Sequence, residues 1–212
     1  MGGLNVVVLG ASGALGHALV HSALEAGHQV CAYVRNRGKL NVNDARLRVV
    51  EGQLSDRARL LEALGGADAV LSALGVPRAK PRSLPSRDLP VVLGVMEELQ
   101  VKRLVAVSGA AVNVQGDRKT LPDKLVRLVM KLVVPEVLED KEVELALLRA
   151  SNLEWTTIRP PRIIQGKRTG SVQVSQLRPL SMQVIYDDLA DFMVKEMVAR
   201  QHVRQSPFVS GP

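Results

Sequence analysis

The stretch Val6-Val7-Val8-Leu9-Gly10-Ala11-Ser12-Gly13-Ala14-Leu15-Gly16 decides the fold of this chain. Its first four residues predict a strand buried on both faces, and the apolar periodicity after the glycines predicts a helix over 13–26. A glycine-rich turn between such a strand and a helix is how proteins hold the pyrophosphate of a dinucleotide. The alternative is a turn that is glycine-rich by chance, and the strand before it and the helix after it count against that.

Each glycine has a separate expected role in this turn. Gly10 allows the tight turn off the strand, and Gly13 lets backbone N–H groups approach the phosphates without a Cβ in the way. Gly16 lets the helix pack closely on the sheet. The positive end of the helix dipole then faces the anion.

Length and composition set the outer bounds. The chain has 212 residues, which fits one domain over 1–212, and no apolar run approaches the roughly 18 residues that span a bilayer. The first strand begins almost at Met1, which leaves no room for a signal peptide, so we expect a cytoplasmic protein without a membrane span. The single cysteine, Cys31, excludes an internal disulfide and is expected to be a core thiol rather than a nucleophile.

The net charge of +7 raises the question of nucleic acid. The aromatic residues are scattered and offer no stacking platform for single strands, and no helix-turn-helix or zinc-finger spacing is present. An anionic cofactor and a basic solvated surface explain the charge more simply. We therefore expect a small-molecule acceptor as the partner and no nucleic acid.

Strands and helices alternate along the chain, which predicts an α/β fold: a doubly wound parallel sheet with helices on both faces, in a single Rossmann domain. The prolines and basic residues of 77–90 predict a loop, and 163–182 is irregular with room for a short hairpin. The predicted strands are 6–9, 28–34, 47–50, 69–73, 103–107, 155–159 and 207–210, and the predicted helices are 13–26, 55–64, 91–99, two segments of 121–150 that break at Pro135, and 187–199.

The second strand ends in Val34-Arg35-Asn36-Arg37, where the residue about 20 positions past the glycines meets the adenosine ribose. An acidic residue there would favour NAD, but this chain has Arg35 and Arg37. A guanidinium can bind a 2′-phosphate through two parallel charge-assisted hydrogen bonds. The pattern therefore predicts NADP(H); the alternative is a solvated basic loop.

Four further stretches join the glycine loop in a family resemblance. They are Ala69-Val70-Leu71-Ser72-Ala73-Leu74-Gly75, Val101 through Gly109, Leu153 through Ile163, and Asp188-Leu189-Ala190-Asp191-Phe192. Together they resemble the NAD(P)H-binding atypical short-chain dehydrogenase/reductases, with biliverdin reductase B/flavin reductase and the NmrA-like proteins as the nearest groups. The resemblance covers nearly the whole chain and is more specific for the fold than for the substrate.

The resemblance implies cofactor-binding roles for a defined set of positions. Arg35, with Arg37 beside it, matches the reader of the 2′-phosphate, and Ser108 matches a serine beside the nicotinamide. Leu54 is expected to contact the cofactor, and Gln53 stands near the adenine where the family often has an aspartate. The pyrophosphate loop is matched by Gly10, Ser12, Gly13, Ala14, Leu15 and Gly16, the ribose loop by Ala73, Leu74 and Gly75, and the loop over the nicotinamide by Pro160, Pro161, Arg162 and Ile163.

The Tyr-x-x-x-Lys pair of typical short-chain dehydrogenases is missing. Tyr33 is followed four residues later by Arg37, and Tyr186 by Ala190. Interconversion of alcohols and ketones is therefore disfavoured. Hydride transfer from NADPH to a planar conjugated acceptor (a flavin, a quinone or a tetrapyrrole) would survive this loss. An NmrA-like sensor of NADP(H) without catalysis is the alternative, and an epimerase-type enzyme that uses the cofactor transiently is a third.

Ser108 and Arg162 are the candidate catalytic residues. Ser108 would orient the nicotinamide or the acceptor, unless it is only a hydroxyl at a strand end. Arg162 stands where biliverdin reductase B has a histidine; it would bind an anionic acceptor, or else pair with a carboxylate or with the cofactor pyrophosphate.

Other features have structural interpretations. His17 and His21 are four residues apart but lack a third ligand, so no metal site is expected. The basic amphipathic segment 121–134 is expected to be a packed helix with a solvated face, although contact with a membrane or partner is open. We expect the substrate side to comprise about 110–150 and 160–185, in a monomer or weak homo-oligomer.

Overall fold

The computed structural model describes residues 2–75 and 84–212. Its centre is a parallel sheet of six strands in the order β3-β2-β1-β4-β5-β6. The chain leaves β1 toward one edge, returns, and then builds the other half outward from β4, so the strand order reverses between β1 and β4. The strands are β1 (Asn5–Leu9), β2 (Gln29–Val34), β3 (Leu47–Glu51), β4 (Ala69–Ser72), β5 (Arg103–Val107) and β6 (Glu154–Ile158).

Helices cover both faces of this sheet, as the sequence predicts. One apolar layer lies between the sheet and the helices α1 and α6, and the other between the sheet and α2, α3 and α5. The doubly wound Rossmann architecture is therefore confirmed. The helices are α1 (Ala14–Glu25), α2 (Arg57–Leu64), α3 (Pro85–Glu98), α4 (Leu121–Val133), α5 (Pro135–Ala150) and α6 (Tyr186–Ala199).

The loop predicted over 77–90 is wrong in its second half, because α3 begins at Pro85. Residues 77–83 of that prediction lie outside the described residues. Pro85 occupies the first turn of the helix, where its missing N–H costs nothing. Pro90 is inside the helix, and the buried side chains of Leu89 and Val92 offset its cost by packing on the core.

The short hairpin considered for 163–182 is also wrong. The strand β7 (Arg162–Ile164) pairs in parallel with β9 (Gln183–Ile185). The strand β8 (Gln173–Ser175) pairs antiparallel with β10 (Phe208–Ser210), near the end of the chain. Both partners are distant in sequence, so no local turn signal could show the pairing.

The expectation of a packed α4 is wrong as well. The break at Pro135 is where the sequence predicts it, between α4 and α5, but none of the residues of α4 is buried. The side chain of Leu121 is 80% exposed and that of Leu132 is 75% exposed. This helix turns its apolar face away from the protein.

Candidate functional site

The turn after β1 has the geometry that its glycines predict. Gly10 has a φ of +75°, and its carbonyl accepts a hydrogen bond from the Gly13 N–H at 3.1 Å. A Cβ on Gly16 would lie 2.1 Å from the Gly10 oxygen, so only glycine fits this position of α1. The turn and the first helical residues are therefore packed against each other at the carboxyl end of β1.

The amino end of α1 is free to bind an anion. Gly13 is the N-cap, no side chain of the described residues caps the helix, and no acidic residue lies in its first turn. Gly13 and Ala14 are exposed, Ser12 is half-buried, and Leu15 and Gly16 are buried. The first N–H groups of a helix have no partners within the helix, and with the helix dipole they favour negative charge. This end of α1 fits a dinucleotide pyrophosphate.

The loop after β4 touches the glycine turn directly. A Cβ on Gly10 would lie 3.1 Å from the Ala73 oxygen, and the Ala73 N–H donates to the Leu9 carbonyl at 2.9 Å. Ala73 and Leu74 are half-buried and Gly75 is exposed. The strand order reverses at this point, which is where open α/β sheets bind their ligands.

The basic segment after β2 lies on the other side of the glycine turn. Arg35 and Arg37 are exposed, and Nε2 of His17 on α1 is 3.0 Å from the Lys39 carbonyl oxygen. His17 thus joins the basic segment to the first helix. Within residues 2–75 and 84–212, no cluster of three or more potential metal ligands exists.

A carboxylate, Glu51, stands near the basic segment at the end of β3. Its Oε2 accepts a hydrogen bond from the Arg37 N–H at 3.2 Å. Tyr33 donates its hydroxyl to the Gln53 carbonyl at 2.7 Å, and Leu54 is half-buried. The structure therefore puts Leu54 and the arginines at the edge formed by β2 and β3, apart from Ser108.

Ser108 follows β5, next to the end of β6. Its N–H donates to the Ile158 carbonyl at 2.7 Å, and the Ala110 N–H donates to the Pro160 carbonyl at 2.9 Å. The Ser108 Oγ is buried and has no hydrogen-bond partner among the residues that the structure describes. An unpaired buried hydroxyl is costly, so the Ser108 Oγ keeps its hydrogen-bonding capacity for a partner outside the described residues.

The segment after β6 carries Arg162 at its surface. Pro160 is buried, Pro161 and Ile163 are half-buried, and Arg162 is exposed as the first residue of β7. In the described part of the chain, the Arg162 guanidinium forms no salt bridge. Of the interpretations open from the sequence, pairing with a carboxylate has no counterpart among the described residues, and the others stay predictions.

Lys141 on α5 is a site residue that the sequence reasoning missed. Its Nζ donates to the Leu74 carbonyl at 2.7 Å, at the end of β4, and is 3.4 Å from the Val107 carbonyl at the end of β5. Its third partner is Glu144, at 2.7 Å. Burial raises the pKa of Glu144, and the charge of Lys141 opposes that shift.

A sequence signal for Lys141 existed. The Tyr-x-x-x-Lys spacing can be searched from the lysine as well as from the tyrosine, and Val137 stands four residues before Lys141. Lys141 lies at the carboxyl edge of the sheet, and the residue four positions before it is a valine rather than a tyrosine. Lys141 therefore lacks the tyrosine hydroxyl that stands at this spacing in typical short-chain dehydrogenases.

Arg159 is a second residue whose role sequence reasoning missed. Its guanidinium binds Asp117 through two hydrogen bonds of 2.7 and 2.8 Å and lies 3.8 Å from the centre of the Phe208 ring. Desolvation alone would raise the pKa of Asp117, but the hydrogen bonds from Arg159 and from a backbone N–H lower it overall. The pair fixes the loop after β5 against the end of β6.

Lys119 belongs to the same buried cluster. Its Nζ donates to the Val112 carbonyl at 2.8 Å and to Oδ1 of Asn113 at 2.9 Å. Burial lowers the pKa of Lys119 to about 8, against the opposing attraction of Asp117. These buried charges therefore hold the loop after β5 in place.

The fold and the glycine turn are those of an NAD(P)-binding Rossmann protein. A family model described as NAD(P)H-binding matches residues 10–199, and the chain belongs to that family.

In the described residues, no helix is long and apolar enough to cross a bilayer.

Similar proteins agree with this assignment. The oxidoreductase ptaF of Pestalotiopsis fici is 28% identical over an alignment of 212 positions, which covers 89% of this chain and 77% of ptaF. A short-chain dehydrogenase/reductase of Veillonella parvula, solved in complex with NADP, is 16% identical with a TM-score of 0.79, over 99% of this chain and 95% of that one. The anaerobilin reductase ChuY of Escherichia coli O157:H7 is 18% identical with a TM-score of 0.79, over 98% of this chain and 97% of ChuY. At these identities the two structures show a shared fold.

Proposed function

We propose that this protein is an NADPH-dependent reductase that transfers hydride to a planar conjugated acceptor such as a flavin, a quinone or a tetrapyrrole. Membership of the NAD(P)H-binding family supports the cofactor class. A relative named as an oxidoreductase and a structural neighbour that reduces anaerobilin support the reaction class.

The observation that carries the proposal is that Lys141 is bound to other groups and has no tyrosine four residues before it. Its ammonium group is bound to the Leu74 carbonyl and to Glu144, and Val137 supplies no hydroxyl beside it. Tyr33 is engaged with the Gln53 carbonyl, and Tyr186 begins α6. Without a tyrosine acid beside the lysine, the site suits an acceptor that takes a hydride without protonation of a carbonyl by the protein.

The residues around the turn would hold the cofactor along the edge of the sheet. NADPH supplies the hydride from C4 of its nicotinamide. The N–H groups at the start of α1 would bind the pyrophosphate, and the Ser108 hydroxyl would orient the nicotinamide amide or the acceptor. The proposed cofactor contacts are Gly10, Ser12, Gly13, Ala14, Leu15, Gly16, Arg35, Arg37, Leu54, Ala73, Leu74, Gly75, Ser108, Pro160, Pro161 and Ile163.

Lys141 is a positioning residue in this proposal. By binding the Leu74 and Val107 carbonyls together, it links the chain after β4 to the end of β5. The acceptor receives one hydride from NADPH and one proton, which water can supply. Hydride transfer depends on close placement of donor and acceptor, so rigid strand ends contribute to the rate.

The preference for NADPH over NADH rests on the two arginines. Within the described residues, Arg35 makes no ion pair, so its guanidinium is free for a 2′-phosphate. The carboxylate of Glu51 is held by the Arg37 N–H, which draws it away from the role of a ribose acceptor. A structural neighbour solved with NADP is consistent with this choice.

The experiment is a screen of NADPH oxidation against flavins, quinones and linear tetrapyrroles. With NADPH deuterated on one face of C4 at a time, the reductase should remove the label from one face only. A redox sensor of the NmrA type would bind NADP and NADPH with different affinities and turn over none of the acceptors. Tight NADPH binding without turnover of any acceptor in the screen would contradict the reductase hypothesis and favour the sensor hypothesis.

A further inference from the structure

The exposed apolar face of α4 is a surface that the proposed reaction does not use. The helix has 13 residues and is therefore about 20 Å long. Its first turn is closed by a reciprocal capping interaction between Thr120 and Asp123, so the helix has its own start signal. It is a defined element whose apolar side has no cover in the described structure.

Polar side chains attach α4 to the rest of the protein. Arg127 donates to the Ala111 carbonyl at 2.7 Å and forms a salt bridge of 2.7 Å with Glu142 on α5. Asp123, Arg127 and Met130 are half-buried and, at spacings of four and three, form one stripe along the helix. The side of α4 that faces the protein is thus largely polar.

The opposite side carries a continuous row of leucines. Leu121, Leu125, Leu128 and Leu132 follow one another at spacings of four, three and four, which puts them on one face. Leu125 is 60% exposed, between the still more exposed ends of the row. Isolated exposed leucines need no explanation, but a row of this length marks a binding surface.

Positive charge borders this row. Lys124 and Lys131 are exposed and seven residues apart, which puts both on the same edge of the apolar face. In the described residues neither lysine forms a salt bridge. The acidic residue of α4, Asp123, is used in the cap, and the whole chain has a net charge of +7.

We infer that α4 docks the protein on an anionic phospholipid surface, with its leucines in the acyl boundary and Lys124 and Lys131 at the headgroups. An apolar face flanked by lysines is the pattern of helices that lie in the membrane interface. A second copy of this chain fits less well, because a two-fold contact sets the same face against itself and would bring four uncompensated lysines together. The inference does not depend on which acceptor the site reduces.

The test is flotation of the full chain with vesicles. Vesicles of phosphatidylcholine mixed equally with phosphatidylglycerol should bind it, vesicles of phosphatidylcholine alone should bind it weakly, and added salt should reduce the binding. The double variant Lys124→Gln/Lys131→Gln should lose about thirtyfold in affinity for the mixed vesicles. The double variant Leu125→Asp/Leu132→Asp should not bind.

A matched control uses exposed aliphatic residues elsewhere. Val143 on α5 and Val198 on α6 are 48% and 47% exposed, and the double variant Val143→Asp/Val198→Asp should bind mixed vesicles like the unmodified protein. All of these positions are exposed, so thermal melting should show folded variants. Failure of the unmodified protein to bind mixed vesicles would overturn the inference, as would binding that survives Leu125→Asp/Leu132→Asp. A dimer in sedimentation that this leucine variant dissociates, with no vesicle binding, would assign the face to a second copy instead.

Discussion

Substitution of Gly16 by alanine tests the close packing of the glycine turn against α1. The added Cβ would lie 2.1 Å from the Gly10 oxygen and 2.7 Å from the Ala11 Cα. Both are backbone atoms, so the clash can be relieved only by moving the turn away from α1. Overpacking of this kind costs up to about 3 kcal/mol.

Part of that cost is offset by the helix itself. Alanine in place of glycine inside a helix contributes about 1 kcal/mol. The net loss in the free energy of unfolding for Gly16→Ala is then about 2 kcal/mol, or about 4–8 °C in the melting temperature of a chain of this length. NADPH binding should weaken as well, because the turn is displaced.

Two further glycines supply the controls. A Cβ on Gly94, in α3, meets nothing within 4 Å, so Gly94→Ala should raise stability by about 1 kcal/mol. A Cβ on Gly13 meets only the Gly10 oxygen, at 3.5 Å, so Gly13→Ala should cost no more than about 1 kcal/mol, the loss at an N-cap. It should nevertheless weaken NADPH binding about tenfold, because the methyl group would displace the phosphates from the N–H groups.

Urea unfolding and fluorescence titration with NADPH measure the two effects on the same preparations. If Gly16→Ala were as stable as Gly94→Ala, the close packing of α1 on its turn would be refuted. If Gly13→Ala bound NADPH normally, the pyrophosphate would not lie against that glycine.

Four other substitutions test separate parts of the account. The unmodified protein should bind NADPH at least tenfold more tightly than NADH, because a charge-assisted contact contributes about 1.5–3 kcal/mol. Arg35→Ala should remove most of this preference, and the control Arg149→Ala should leave it intact. Equal affinities for the two cofactors in the unmodified protein would exclude the 2′-phosphate contact. Ser108→Ala should lower turnover about ten- to a hundredfold, and complete loss with NADPH binding intact would mean that its hydroxyl transfers an essential proton. Arg162→Ala should reduce turnover of flavin mononucleotide far more than that of a neutral quinone, and an equal loss for both would contradict the role in binding anionic acceptors. Asp117→Asn should cost about 3–5 kcal/mol by leaving Arg159 as a buried unpaired charge, which chemical denaturation would show as a lower midpoint, and an unchanged midpoint would contradict the pair's structural role.

The central sheet was predictable because its signals are local. Runs such as Val6–Leu9 are apolar throughout, as strands buried on both faces must be, and the glycine turn has one compatible geometry. The start of α3 at Pro85 was not predictable from the same rules. Its prolines indicate a loop, and only the packing of residues such as Leu89 against the core shows that the helix includes them.

The remaining misses depend on partners that are distant in sequence. The pairing of β8 with β10 joins Val174 to Val209, and no pattern near either residue encodes it. The amphipathic pattern of α4 predicts an apolar face but does not say which way it points, and here Arg127 anchors the polar side to the protein. The cofactor contacts themselves remain predictions.

The most direct test of the account is oxidation of NADPH deuterated at C4, measured with flavin, quinone and tetrapyrrole acceptors. The account predicts turnover that depends on the acceptor, with the label lost from one face of C4 and retained on the other. NADPH that binds but is not oxidised by any of the three acceptor classes would contradict it.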